Sequence, residues 1–392
     1  MMSSPKPSPN FANETTAPRA IAVWLLVCCA MVFATLMIGG ITRLTHAGLS
    51  IVEWQPLVGA LPPLTEAHWQ ELFAKYQLTP EFRLRNHDMT LAGFQFIFWW
   101  EWAHRLSGRL IGLVFFVPYV WFLIRGQLRG PLAWKVLGFF VLGGLQGAMG
   151  WYMVKSGLVD DPHVSPYRLA AHLGLAFLIF GLMLWTALGL LQPRRRFSAV
   201  PQEDFPETAL PNSGFKHFLR SDSKLRGISP APAPCVPSET FTRRLGVALI
   251  ALVFLMVLSG ALVAGIHAGL AYNTFPLMNG FIVPPETFQL EPLWLNFFSN
   301  MATVQLDHRL IAWTLLGVIP WFVWRVRSES PSARPAAALL LVWLGVQAGL
   351  GISTLLLRVP VPLAAAHQAG AMILFGLVLW VNHAIRRAHR TI

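Results

Sequence analysis

The sequence predicts an all-α integral membrane protein: eight transmembrane helices arranged as two pseudo-symmetric four-helix bundles. Three observations predict it. Hydrophobic residues make up 55% of the 392-residue chain and charged ones only 12%. Eight runs reach the roughly 20 apolar residues needed to cross a bilayer. The second four runs repeat the first four, motif by motif. In lipid a backbone must satisfy its own hydrogen bonds, so each run is expected as a helix.

The runs lie near 21–41, 96–124, 134–154, 169–191, 245–266, 302–324, 336–357 and 363–384. Residues 1–20 read as a polar N-terminal tail. The first run is too long for a cleaved leader and lacks a small-residue cleavage site, so it is expected as a retained helix. Residues 21–191 make the first bundle and 245–384 the second. Between them 192–244 is rich in Pro, Ser and charge without sustained periodicity, the composition of a linker. Residues 385–392 form a short basic tail. Cys28 and Cys29 fall in the first run and Cys235 in the linker, so no structural disulfide is expected.

A net charge of +12 raises nucleic acid as a partner, but its distribution excludes it. With the N-terminus inside, twenty of the 30 basic residues fall in the tails, the linker and the loops on that side. Seven fall on the other side, from Arg43 to Arg358. Such a bias orients a membrane protein with both termini cytoplasmic, and the lipid bilayer is its natural partner.

Within the repeat, four histidines stand inside apolar runs. Glu101-Trp102-Ala103-His104-Arg105-Leu106 matches Gln305-Leu306-Asp307-His308-Arg309-Leu310, and Leu169-Ala170-Ala171-His172 matches Ala364-Ala365-Ala366-His367. An ionisable side chain in a membrane segment is costly and marks function by default. A lone histidine there is as easily a hydrogen-bonded packing residue. Four of them lie 17 to 22 residues before the cytoplasmic arginines, roughly 26–33 Å along a helix and near the outer hydrocarbon boundary. Runs two and four of an up-down bundle are diagonal, so His104 faces His172 and His308 faces His367, the arrangement of a bis-histidine heme site. Zinc fits less well, since no Cys, Asp or Glu offers two further ligands at that depth.

The neighbours of these ligands carry open alternatives. Arg105 and Arg309 either snorkel to the interface or pair with heme propionates. Arg109 has no counterpart and pairs locally. Glu101 either bridges to Arg105 at i,i+4 or takes part in chemistry; its counterpart is Gln305. Glu53, in the loop after the first run, has no acidic counterpart either. The halves therefore differ in acids, which suggests one pocket for chemistry and one for a permanent cofactor. His46 and His267 are expected at the interface, with a role near a heme edge in reach. His68, His87, His163, His217, His383 and His389 are expected to face solvent, and Trp54, Trp69, Trp99, Trp100, Trp102 and Trp151 to form an aromatic belt.

On these residues the chain resembles the heme A synthase family, in its proteobacterial and mitochondrial branch. The segments that carry the resemblance include Gly48-Leu49-Ser50 through Glu53-Trp54, Glu101 to Arg105, Leu145 to Trp151, Tyr272 to Met278, Val304 to Arg309 and Ala366 to Gly370. It spans all eight runs and leaves out 192–242. The resemblance implies oxidation of a ring methyl of heme O to the formyl group of heme A, for terminal oxidases. It implies a permanent heme B at His308 and His367, and heme O received near His104 and His172. Glu53 would then carry a proton or position an oxidised intermediate. Heme O synthase and an electron donor are the implied protein partners. The implied location is a bacterial inner membrane, or the mitochondrial inner membrane in a eukaryote. Some family members have a cysteine pair in an outside loop; this chain lacks it, so no thiol step is carried over.

Two other classes compete. A di-heme b-type protein exchanging electrons with quinol would use the same ligands, but a relay across the bilayer wants its hemes at different depths. A transporter would suit the repeat, but the paired broken helices near mid-membrane that mark such sites are missing.

Overall fold

The computed structural model describes residues 10–55, 58–158, 164–191 and 237–388. The rest of the linker expected at 192–244, the ends of both tails, His163, His217, His389 and Cys235 lie outside the described residues. The helices are α1 (Asn10–Leu44), α2 (Glu66–Gln77), α3 (Pro80–Leu84), α4 (Leu91–Ile124), α5 (Gly130–Lys155), α6 (Pro166–Leu190), α7 (Pro237–Gly265), α8 (Asn296–Ser299), α9 (Met301–Glu329), α10 (Arg334–Leu356) and α11 (Val361–Ala388). Eight are long and apolar enough to cross a membrane: α1, α4, α5, α6, α7, α9, α10 and α11. These are the eight expected runs. No named β-strand occurs among the described residues; Met278 and Phe281 form an isolated bridge.

Several boundaries moved, the start of α5 at Gly130 and the end of α9 at Glu329 among them, and a local reason shows at the starts of α4 and α7. Helix α4 starts at Leu91 rather than 96 because Thr90 caps it, its Oγ1 accepting from the Gly93 N–H at 3.3 Å. Helix α1 runs back to Asn10 through the expected tail, and α7 begins at Pro237, inside the expected linker. A proline at the first turn of a helix costs no hydrogen bond.

Helix contacts run α1–α4, α4–α5, α5–α6 and α6–α1, which sets α4 and α6 at opposite corners. They run again α7–α9, α9–α10, α10–α11 and α11–α7, which sets α9 and α11 at opposite corners. Contacts α6–α7, α1–α11 and α6–α11 join the two sets. One apolar core gathers Ile21, Leu25, Phe115 and Met183, and a second gathers Leu249, Val253, Ile319 and Phe322. Phe180 and Leu184 of α6 pack against both. Cys28 and Cys29 are buried as free cysteines in the first core.

The loop between α1 and α4 contains two helices that periodicity did not reveal. Thr65 and Thr79 cap α2 and α3 through their hydroxyls, and Pro80 opens α3. Tyr76 and Phe94 are fully buried where α2 lies on α4, and Trp69 packs edge-on against Phe98 at 4.9 Å. Burying each such ring contributes about 1.5–3 kcal/mol, enough to hold the loop down over α4.

Candidate functional site

Helices at opposite corners carry the four histidines, and these meet in pairs. His172 on α6 lies within electrostatic range of His104 on α4, and His308 on α9 within range of His367 on α11. All four are half-buried. Each imidazole is backed by a glycine of a neighbouring helix. A Cβ placed at Gly39, Gly150, Gly260 or Gly351 would lie 2.5, 3.0, 3.2 or 2.8 Å from Cε1 of His104, His172, His308 or His367. At Gly39 and Gly351 a methyl group would force the ring to shift, and at Gly150 and Gly260 the ring would have to give by a few tenths of an ångström, so glycine at these positions lets the rings seat against the helices.

Hydrogen bonds then orient the rings. Ser259 Oγ lies 2.7 Å from His308 Nδ1. Gln347 Nε2 donates to the His367 carbonyl at 3.0 Å and lies 3.2 Å from its Nδ1. Gln146 Nε2 donates to the His172 carbonyl at 3.0 Å and lies 3.4 Å from its Nε2. Several polar atoms stay buried without a protein partner: His104 Nδ1, His172 Nδ1, Gln146 Oε1, Gln347 Oε1 and Arg309 Nε. Among the described residues no cluster of three or more His, Cys, Asp or Glu can hold a metal ion. Paired imidazoles with no third protein ligand, glycine-lined seats and orphaned polar atoms fit a heme, whose porphyrin supplies four ligands of its own.

The residues after the first ligands do work that the sequence did not reveal. Arg105 donates to both sides of the loop: to the Ile51 carbonyl at 2.7 Å, the Glu53 carbonyl at 3.0 Å and Glu101 Oε1 at 2.6 Å. Arg309 donates to the carbonyls of Tyr272, Thr274, Pro276 and Leu277 and to Gln305 Oε1 at 3.0 Å. Each guanidinium thus staples a loop onto its own helix. Glu101 is 2% exposed, and its Oε2 accepts from Ser50 Oγ at 2.7 Å and the Ile51 N–H at 2.8 Å. Gln305 takes the matching place and donates to the Ala268 carbonyl at 2.6 Å. Glu53 points elsewhere: its carboxylate pairs with Lys75 of α2 at 2.8 Å and accepts from Gln55 Nε2 at 2.6 Å. Arg109 donates to the Gln55 carbonyl at 2.9 Å.

Sequence comparison identifies the scaffold. Residues 22–379 match the COX15-CtaA family, cytochrome oxidase assembly proteins. The chain belongs to that family. It is 55% identical over 371 residues to a protein of Nitrosospira multiformis, covering 94% of each chain. It is 51% identical over 363 residues to one of Nitrosomonas eutropha, covering 92% of each. With a protein of Parvibaculum lavamentivorans it shares 45% identity over 382 residues, 97% of this chain and 99% of that one. All three relatives are named heme A synthase.

In this COX15-CtaA chain further residues tie the two pockets together. Gln368, directly after His367, donates from α11 to the Leu36 carbonyl of α1 at 3.0 Å. Its amide fills the space a Cβ on Gly40 would take, one residue from the glycine that backs His104. Gly370 leaves room for Gln347 Oε1, and its carbonyl accepts from Trp343 Nε1 at 2.9 Å. His46 and His267, equivalent in the repeat, stack across the two sets of helices with centroids 6.3 Å apart. Both hold left-handed backbones, φ 54° and 59°. Nearby, Glu81 of α3 is buried beside Tyr76; burial, then the Glu101 charge, pushes its carboxyl up to about 7. His68 and His87 are exposed as expected, whereas His383 is half-buried, edge-on to Trp185 at 5.1 Å, because α11 continues past it to Ala388. Of the residues around the rings, Gly39 and Gly260, Gly150 and Gly351, and Gln146 and Gln347 stand at matched positions of the repeat; Gln368, Gly370, Ser259 and Glu81 had no signal beyond their residue types.

Proposed function

We propose that this chain converts heme O to heme A by oxidising a ring methyl to a formyl group, with a permanent heme B in the half from α7 to α11. One observation carries the reading: a duplicated pair of neighbouring imidazoles whose surroundings differ between the halves. Its COX15-CtaA membership and relatives named heme A synthase at 45–55% identity support the reaction.

In this reading residues 21–191 and 245–384 are two pseudo-symmetric bundles joined by a linker at 192–244. His308 and His367 hold heme B, and His104 and His172 hold heme O. A bound heme supplies the iron at which the methyl is oxidised. The protein supplies ligation, orientation and proton handling. Arg309 Nε, buried and without a partner, is available to a propionate. Arg105 spends most of its donors on the loop and offers a remaining Nη1 proton. Glu101 stands three residues before His104, and its buried carboxylate, held by Arg105, is the acid beside the first pocket. Glu53, at 42% side-chain exposure, links that region to water. The basic-residue bias supports termini on the cytoplasmic side of a bacterial inner membrane. Heme O synthase and an electron donor are its expected partners.

Hemes extracted from the purified protein test this. Heme B together with heme O or heme A is expected; heme B alone turns the reading toward an electron relay. In cells supplied with heme O, Glu53→Gln is expected to keep heme B while heme O or a hydroxylated intermediate accumulates.

A further inference from the structure

The repeat aligns the two helices that back the first ligands. Gly39 stands seven residues before His46, and Gly260 seven before His267. This register sets Ile38 against Ser259 and Thr35 against Met256. The two halves then treat equivalent ligands differently. Ser259 Oγ lies 2.7 Å from His308 Nδ1 and 3.2 Å from the Met256 carbonyl. The arrangement that uses both contacts gives the hydroxyl proton to Met256 and lets Oγ accept from Nδ1–H. That tautomer leaves His308 Nε2 as the lone pair for a metal.

In the first half an isoleucine stands where the hydroxyl would be. His104 turns instead to the backbone of Thr35, and its Nδ1 stays buried without a partner. The ring is seated closer to its glycine than His308 is, since a Cβ at Gly39 would lie 2.9 Å from His104 Nδ1 and one at Gly260 3.8 Å from His308 Nδ1. Space is therefore not what separates the two; the missing hydroxyl is.

We propose that Ser259, matched by Ile38, is the positioning difference that makes one pocket retain its heme and the other exchange it. This rests on the reading that the resident heme lies at His308 and His367. A hydrogen bond to the second nitrogen of a ligand histidine fixes its orientation and raises its basicity, and losing it typically costs 10–100-fold in metal affinity. A product that must leave for another protein needs a ligand without that support.

The test is heme transfer from the purified, detergent-solubilised protein to excess apomyoglobin, followed optically. Ser259→Ala is expected to release the resident heme about 10–100-fold faster, and Ser259→Thr, which keeps the hydroxyl, to release it slowly. Ile38→Ser is expected to raise the heme content per chain, because His104 Nδ1 gains a hydroxyl partner beside the Thr35 backbone contact of the ring. Equal release from Ser259→Ala and the unaltered protein overturns the proposal, as does equal release from the Ala and Thr variants. Unchanged heme content in Ile38→Ser overturns its extension to the first pocket. His308→Ala separates the two levels: full retention of heme there means that the location of the resident heme was wrong.

Discussion

Beside the two first ligands, the same mechanical task is done with different chemistry. Arg105 and Arg309 both bind loop carbonyls back onto the ligand helix, and both lean on the residue four positions earlier. In one half that residue is Glu101, in the other Gln305. The second half demonstrates that an amide is sufficient for the staple. Glu101 differs at its other oxygen, which accepts from Ser50 Oγ and the Ile51 N–H where Gln305 donates to a carbonyl; a buried charge in one pocket only is a candidate for chemistry. The same contrast extends to the rings: His308 is held by a serine, whereas the Nδ1 of His104 has no partner.

The largest expected effect is on heme content. If the proposed heme B lies at His308 and His367, His308→Ala or His367→Ala should remove it while the protein still reaches the membrane, and His104→Ala should leave it in place. Optical spectra of the purified variants check this. Heme B lost equally from all three would erase the distinction between the halves.

Next in size is the charge on Glu101. Glu101→Gln keeps an acceptor for Arg105 but sets an amide NH2 against the Ile51 N–H, so a purely structural role would lower protein amount without changing the heme product ratio. Loss of a positioned proton-transfer group typically costs 10²–10⁴-fold in rate, so heme A yield should fall and heme O accumulate. Wild-type heme A yield would return Glu101 to a purely anchoring role.

A smaller difference is expected from the arginines. Arg309→Gln leaves loop carbonyls without donors, and water replaces part of what is lost, a cost of about 1–3 kcal/mol. Arg105→Gln also strands the buried Glu101, and breaking a buried pair costs about 3–5 kcal/mol. Thermal unfolding in detergent should rank Arg105→Gln below Arg309→Gln, and adding Glu101→Gln to the former should recover the difference. Equal destabilisation would mean that Glu101 is solvated once its partner goes.

The smallest effect concerns the loops' response to pH. Glu81 is buried in the first loop, while Glu286 and Glu291 of the second are exposed. Its carboxyl is raised from its ordinary value to about 7, so the folded loop favours the protonated form. Its contribution to stability is present below the unfolded value and is lost as pH rises through about 7. Hydrogen exchange should show the 45–90 segment loosening over that window, Glu81→Gln abolishing the trend, and 266–300 showing none.

Much of this molecule was written in one dimension. Eight apolar runs, their repeat and the matched depth of four histidines follow from the sequence, because a bilayer imposes length, helicity and cost on each residue separately. The pairing of Glu101 with Arg105 was legible too, since i,i+4 neighbours share a helix face. Contacts between segments far apart in the chain were not. That Arg105 and Arg309 spend their donors on loop carbonyls, that Glu53 turns to Lys75, and that Gln368 reaches Leu36 across the two sets of helices depend on how loops fold back and helices dock. The Ser259–His308 bond needed both levels: the repeat aligns serine with isoleucine, but only the packing of α7 on α9 brings the hydroxyl to the ring. Local rules set what each helix is, whereas the partner of a buried polar atom is chosen by geometry that no single segment contains.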